Sequence, residues 1–414
     1  DNGMKWGYAW EFGPFEIWDN LGLKDSLAEI EKAGFTVPAN VKRMVEKGGT
    51  TFYKVENGIK KFWDFASDSY KNIPYSPNMV FLANIKADKS KTVLGNDACS
   101  LVDIGDGVFC FEFHTKMNAL NNDVINTVPK AVEFVRKNGA GLVIGNEAGG
   151  MPPAFSAGGD LKFMLGLAKK GDFKGINDFI ADVHNGMKMI KYSPFPVVAA
   201  PFGLALGGGC EVCLWADKIV AHNELYMALV EVGAGLVPAG GGCYQMWRRI
   251  SESNVTPTDW LSVFLAAFQT IAMPMPSMSA QEARNKGFLR PQDRIVFNRD
   301  YLIGDAKKEV LRMAEDGYVP PACMPVKVFG QDAMGALDAN IPDMLAGYKI
   351  APHISTVVRR VGYVISGGTA YKGEEISEDA MLALEREMFV DCWKTEGSQK
   401  MAEHMATKGK PLFI

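Results

Sequence analysis

Pro196-Val197-Val198-Ala199-Ala200-Pro201-Phe202-Gly203-Leu204-Ala205-Leu206-Gly207-Gly208-Gly209-Cys210-Glu211 opens as an unbroken apolar run and closes on three glycines and an acid. Residues 196–200 are too few for a helix, and their uniformly apolar character predicts a strand buried on both faces. Two other segments share the glycine-rich ending. Phe155-Ser156-Ala157-Gly158-Gly159-Asp160-Leu161 stands after a strand and before a helical pattern, and Glu231-Val232-Gly233 leads to Leu236-Val237-Pro238-Ala239-Gly240-Gly241-Gly242. Nine glycines fall within residues 203–242 of a chain that holds 43 in 414. The excess over the usual share of about 7 per cent is therefore concentrated in one region and is not spread through linkers.

Glycine beside a chemical centre lets a ligand approach the backbone, and N–H groups at the start of a helix have no intrahelical partner. Two such segments can aim two N–H groups at one oxygen, which is the requirement for an oxyanion hole. Glu211 and Glu231 then stand beside it as a pair of carboxylates suited to proton transfer. Each piece alone has a plainer explanation: glycine runs also allow close helix–sheet packing, and a helical Glu is usually solvated.

Other familiar motifs are absent or incomplete. No G-x-x-x-x-G-K-[ST] occurs, and neither Gly105/Gly107 nor Gly233/Gly235 continues as G-x-G-x-x-G, so no phosphate or dinucleotide cradle is indicated. Cys210 and Cys213 have C-x-x-C spacing without a second pair, which is weak support for a metal or redox site. His114, His184, His222, His353 and His404 show no metal-protease spacing. Ala154-Phe155-Ser156-Ala157-Gly158 approaches a nucleophile elbow but lacks its first Gly, leaving a serine nucleophile as the lesser alternative.

Beyond these segments the composition is that of a globular protein, 47% hydrophobic and 22% charged, and the length suggests two to three domains. The balance of 44 basic and 48 acidic residues, a net charge of −4, argues against a nucleic-acid surface. Seven scattered cysteines do not resemble a secreted disulfide framework, and no apolar run reaches the roughly 18 residues of a membrane span. A cytoplasmic location is the expectation. Aromatic density over residues 1–20 predicts a small separate unit, with Leu23, Leu27, Ile30 and Ala33 at helical spacing and a second short helix at Val41, Met44 and Val45. A hairpin follows, its arms 51–55 and 59–65 flanking Glu56-Asn57-Gly58, and then a linker to a boundary near residue 95. Beyond it strands at 101–104, 108–114, 141–144 and 196–200 alternate with amphipathic helices over 121–137 and around Ile176 to Ile190. That order describes an α/β fold with a sheet covered by helices.

Taken in their order and spacing, the three glycine-rich pieces resemble the enoyl-CoA hydratase/isomerase, or crotonase, family. His114-Thr115-Lys116-Met117-Asn118-Ala119-Leu120 resembles the family's first CoA-contacting segment. Ser279-Ala280-Gln281-Glu282-Ala283-Arg284-Asn285-Lys286-Gly287 and the terminal Lys408-Gly409-Lys410-Pro411-Leu412-Phe413 resemble later family elements. The resemblance covers residues 96–414, with two stretches, about 251–277 and 288–380, longer than the family usually shows. It implies a crotonase-like fold of ββα repeats with a C-terminal helical oligomerisation region. It also implies oxyanion-hole N–H groups at Ala157 and Gly208, catalytic Glu211 and Glu231, and CoA contacts at Lys116, Met117, Ala119, Ser156, Ala157, Asp160 and Leu161. The glycine runs are expected to lie against a thioester and CoA. Two retained glutamates favour syn addition of water to a 2-enoyl-CoA, with Glu211 activating water and Glu231 protonating the α-carbon. Isomerisation, thioester hydrolysis and a non-catalytic acyl-CoA-binding scaffold are the alternatives. A trimer-based homo-oligomer is expected, with no metal and no cofactor in this chain beyond the CoA substrate.

A second resemblance covers residues 1–95. Met4-Lys5-Trp6-Gly7 through Gly13-Pro14-Phe15-Glu16-Ile17-Trp18-Asp19-Asn20-Leu21-Gly22 is similar to the C-terminal domain of 3-hydroxyacyl-CoA dehydrogenases. It implies that a chain beginning at Asp1 is the back part of a bifunctional β-oxidation polypeptide. NAD is then expected only in an upstream domain, and a thiolase is an expected partner.

Overall fold

The run from Pro196 to Glu211 is divided in the structure: Val197–Ala199 joins one sheet and Gly203–Leu206 another. The break falls at Pro201, Phe202 and Gly203. Gly203 has φ +53°, and a β-carbon there would overlap the Pro153 carbonyl, so the turn between the sheets admits only glycine. The structure is a computed structural model and describes all residues except 9, 57–58, 148–151, 254–258 and 348. It divides into two units, Asp1–Thr92 and Val93–Ile414.

Among the described residues the large sheet has seven strands. Their order is Arg294–Val296, Lys218–His222, Val197–Ala199, Gly141–Ile144, Val108–Phe113, Cys99–Asp103 and Thr92–Gly95. The first five run parallel, and Cys99–Asp103 pairs antiparallel with Val108–Phe113. Every residue of Val108–Phe113 and Gly141–Ile144 is buried, as expected of strands covered on both faces. The helix Asn122–Asn138 begins at Asn121, whose side chain accepts the Val124 N–H at 3.0 Å, and it packs against Phe173–Lys191. The strand expected at 101–104 begins two residues earlier, at Cys99, because Asn96 Oδ1 accepts the Ala98 and Cys99 N–H groups and turns the chain into the sheet.

The second sheet positions the site. Ala154–Ser156, Gly203–Leu206 and Leu225–Ala228 are parallel, with Ala205 opposite both Ser156 and Met227. All three glycine-rich pieces leave this sheet from the carboxyl ends of its strands, which is where parallel sheets gather ligand-binding loops.

The long stretches left without elements by sequence reasoning contain helices. Trp260–Ala272, Leu302–Glu315, Gln331–Ala346 and Pro352–Ile365 lie there, with a two-stranded ladder of Val326–Lys327 and Glu375–Ile376. Leu302–Glu315 lies so close to the large sheet that a β-carbon on Gly141 would overlap Val310 Cγ1. The last helices are Glu378–Trp393 and Glu396–Lys408. Glu378 joins the former to Phe173–Lys191, accepting from Lys191 Nζ at 3.1 Å and the Tyr192 hydroxyl at 2.7 Å.

In the unit Asp1–Thr92, helices Asn2–Tyr8, Pro14–Leu21, Leu23–Lys32 and Ala39–Glu46 precede an antiparallel sheet of Tyr53–Glu56, Ile59–Asp64 and Ser69–Asn72. Leu23, Val37, Val41, Met44, Phe52 and Trp63 form its core. Asp19 accepts the N–H groups of Phe52 and Tyr53 at 2.7 and 2.8 Å, tying a helix end to the sheet. The Asn57-Gly58 turn lies outside the described residues, while the flanking strands pair Glu56 with Ile59. The expected linker carries a short helix, Leu82–Lys86, whose Leu82 is fully buried.

Candidate active site

The geometry of the site begins with two backbone segments that touch. A β-carbon on Gly209 would lie 2.6 Å from Ser156 Cβ, and one on Gly208 would lie 3.4 Å from Gly159 N. Gly207 and Gly158 both have positive φ, at +52° and +102°. The glycines therefore allow the segment after Ala154–Ser156 to rest against the start of the helix Gly208–Trp215.

Which N–H groups are open differs by two residues from the sequence-based expectation. Ala157 N–H donates to the Met117 carbonyl at 3.1 Å and is committed. Leu120 N–H donates to Gly158 O and Asp160 N–H to Leu120 O, a parallel bridge in which Gly159's own N–H takes no part. Among the described residues Gly159 N–H has no acceptor, and Gly208 N–H begins a helix where no intrahelical acceptor exists. The paired open donors are Gly159 and Gly208, and Ala157 is replaced in that role by Gly159.

Glu211 lies on the helix Gly208–Trp215 and is buried. Its Oε1 accepts the N–H groups of Gly240 and Gly242 at 2.7 and 2.8 Å. Burial pushes its carboxyl above the ordinary carboxylate range, and the two N–H bonds pull the other way. Residues 240–242 were expected against a thioester; instead they wrap this carboxylate. A β-carbon on Gly240 would overlap Glu211 Oε2, and one on Gly242 would lie 2.7 Å from Oε1.

Glu231 opens the short turn Glu231–Ala234, just after Leu225–Ala228. Its Oε1 lies over Gly207, where a β-carbon would come within 2.9 Å. Its Oε2 is shielded from solvent and has no hydrogen-bond partner among the described residues. Burial, followed by the nearby Glu211 charge, holds the Glu231 carboxyl well above its usual range. The two carboxylates therefore differ: one is held by two N–H donors, the other is left with an unpartnered oxygen.

The remaining expected contacts fall around the same opening. Lys116, Met117 and Ala119 lie on or beside the turn Lys116–Asn118, fixed to the site by the Met117 carbonyl. Met117 and Asn118 have φ of +57° and +52°, and Asn118 Nδ2 holds the turn by donating to the Ala154 carbonyl at 3.0 Å. Asp160 caps the helix Leu161–Lys169, accepting from Lys162 and Phe163 N–H, and Leu161 is that helix's first residue. Ser156 is withdrawn: its side chain is fully buried beneath Gly209 and its hydroxyl accepts the Gly158 N–H. That placement removes it both as a side-chain contact to CoA and as a nucleophile. Cys210 and Cys213 are buried thiols, with Cys210 pushed well above the usual thiol range by burial.

Residues 103–291 match the model of a family described as enoyl-CoA hydratase/isomerase. Over this span the chain is similar to the enoyl-CoA hydratase/isomerase family. All three glycine-rich pieces, Gly159, Gly208, Glu211 and Glu231 lie inside the matched span. A Bacillus subtilis protein named "Probable 3-hydroxyacyl-CoA dehydrogenase" is 39% identical over 413 residues, covering 100% of this chain and 51% of that protein. The chain thus spans about half the length of that relative. The mouse mitochondrial methylglutaconyl-CoA hydratase is 33% identical over 138 residues, covering 33% of this chain and 42% of its own. The crystal structure of an enoyl-CoA hydratase from Bacillus halodurans aligns with a TM-score of 0.50 at 16% identity, covering 74% of this chain and 99% of that one, and shows the crotonase fold.

Sequence reasoning missed one acidic residue of the neighbourhood. Glu385, on Glu378–Trp393, is fully buried and accepts the N–H groups of Gly241 and Tyr244 at 2.9 and 2.6 Å. It has no motif of its own, and only the helical pattern of residues 378–393 could have marked it as facing inward.

Proposed function

We propose that the unit Val93–Ile414 is an enoyl-CoA hydratase, adding water across the C2=C3 bond of a 2-enoyl-CoA thioester. The observation that carries this reading is the placement of two unlike carboxylates, Glu211 buried and Glu231 half-buried, at the helix start where the Gly159 and Gly208 N–H groups are open. The thioester oxygen would take both N–H bonds, which strengthen as charge develops on it. Glu211, whose anionic form is favoured by two N–H donors against the opposing effect of burial, takes a proton from water as the water oxygen bonds to C3. Glu231, whose surroundings favour the protonated form, gives its proton to C2. Both new bonds form from the face on which the carboxylates stand, and the sum is one water added, with no redox step and no cofactor beyond CoA.

The reading is tested by mixing the protein with crotonyl-CoA and following loss of the enoyl absorbance, with 3-enoyl-CoA as the comparison substrate. Hydration of the 2-enoyl substrate is expected. Turnover of 3-enoyl-CoA alone would replace hydration by isomerisation, and CoA binding without turnover would leave a scaffold.

For the unit Asp1–Thr92 we propose the end of a 3-hydroxyacyl-CoA dehydrogenase module. Its resemblance in residues 4–22 and the name of the full-length Bacillus subtilis relative support this. The parent protein would then carry consecutive β-oxidation steps. NADH formation from 3-hydroxybutyryl-CoA by the full-length protein, and none by its truncation to residues 93–414, is the expected result.

A further inference from the structure

The four N–H groups at the start of the helix Gly242–Glu252 are divided between two carboxylates. Gly240 and Gly242 donate to Glu211 Oε1, while Gly241 and Tyr244 donate to Glu385 Oε2 and Oε1. The donors alternate along the chain, so neither carboxylate can shift without pulling the backbone that holds the other. The same loop is gripped at its carbonyls: Trp215 Nε1 donates to Gly240 O at 2.8 Å and His184 Nε2 to Ala239 O at 2.6 Å. A β-carbon on Gly241, at φ +95°, would lie 2.5 Å from the Trp215 ring, so the loop has no room to take another path.

We infer that Glu385 is a positioning residue for Glu211, acting through the backbone of residues 240–244. Glu385 is itself fully buried with both oxygens accepting backbone N–H groups, and it is given no part in proton transfer. Both of its oxygens are used as acceptors at short range. A carboxamide in its place keeps one acceptor and presents an NH2 group to the other donor, leaving either Gly241 or Tyr244 N–H unpaired in the interior. Aspartate keeps both acceptors but is one methylene short. Glu211 lies 174 positions earlier in the chain than Glu385, and the two meet only on this loop.

The kinetic part of this inference rests on the hydratase reading, so the test has a second readout that does not. Glu385→Gln and Glu385→Asp are made in the whole chain. Crotonyl-CoA hydration is measured together with amide hydrogen exchange at Gly240 and Gly242. Glu385→Gln should lower kcat on the order of 10²-fold, as expected for a small misplacement of a reacting group, with KM little changed. Glu385→Asp should restore part of it. Exchange at Gly240 and Gly242 should accelerate in both variants while the strand Gly141–Ile144 keeps its protection. A folded Glu385→Gln with native kcat and native protection at both glycines overturns the inference. Should Glu385→Gln fail to fold, the exchange and kcat of Glu385→Asp decide in the same way. If the native protein hydrates no 2-enoyl-CoA, the hydratase reading falls. The exchange result alone then decides for or against the coupling of Glu385 to the Glu211 loop.

Discussion

Glu231 Oε1 occupies the space beside Gly207 that a β-carbon would need, standing 2.9 Å from where that carbon would be built. Gly207 is the N-cap of the helix whose first N–H belongs to Gly208. The acid and the donor are thus held against each other by the absence of one methyl group. Gly207→Ala must pay for φ +52° with ψ −124° as well as for that contact, about 1–3 kcal/mol for the strained backbone alone. A lowered urea midpoint and reduced kcat are expected, the latter because Glu231 is displaced.

Glu231→Gln preserves the shape and removes the transferable proton. Hydration should fall on the order of 10²–10⁴-fold, the usual contribution of a general acid, with little change in KM. Full activity in this variant, measured on crotonyl-CoA, would remove Glu231 from the mechanism.

The two candidate donors in residues 157–159 are separable by backbone chemistry. Replacing the Gly159 amide by an ester, through incorporation of glycolic acid, deletes one open N–H without altering a side chain. A loss on the order of 10²–10³ in kcat is expected, as for one oxyanion-hole donor. The same change at Ala157 removes a bond to the Met117 carbonyl and should affect stability more than kcat.

The rate should be bell-shaped in pH, with both limbs above the ordinary carboxylate range. In the proposed hydration Glu211 works as the anion, so activity rises as pH passes its raised pKa. In the same proposal Glu231 works as the acid, so activity falls as pH passes its own, which burial and the Glu211 charge hold well up. Stability carries the opposite sign to that of a salt-bridged acid. Between the ordinary 4.5 and the raised folded value, the native chain keeps a proton on Glu231 that the unfolded chain has released. Stability therefore decreases as pH rises through that window. Urea midpoints measured in steps across it check the sign, and the decline should be shallower in Glu231→Gln.

In the unit Asp1–Thr92 the bonds from Phe52 and Tyr53 N–H to Asp19 can be tested directly. Asp19→Asn sets an NH2 group against one of these donors and should destabilise the unit by about 1–3 kcal/mol. Faster amide exchange at Phe52 and Tyr53, with the large sheet unchanged, is the expected signature.

Much of this was legible in the sequence because apolar patterning and chain order are local properties. The strand Gly141–Ile144 and the helix Asn122–Asn138 declare themselves by burial pattern, and the glycine-rich pieces by composition. The two-residue shift from Ala157 to Gly159 was not legible. It depends on two long-range backbone partners, the Met117 carbonyl that takes the Ala157 N–H and the Leu120 carbonyl that takes that of Asp160, which leave the Gly159 N–H open. Ser69–Asn72 was missed because a polar strand that is almost fully solvated has no apolar alternation to read. Glu385 was missed because its partners lie more than 140 positions away.

The strands that deliver the site, Ala154–Ser156, Gly203–Leu206 and Leu225–Ala228, have only three or four residues each. A sheet so short has few ladder bonds to lose, and it is kept in place by the helices and loops around it. Opening of this sheet is a smaller event than unfolding of the seven-stranded one. The expected consequence is that the site arrangement opens before the body that carries it. In denaturant, activity should disappear while most of the helical signal is still present.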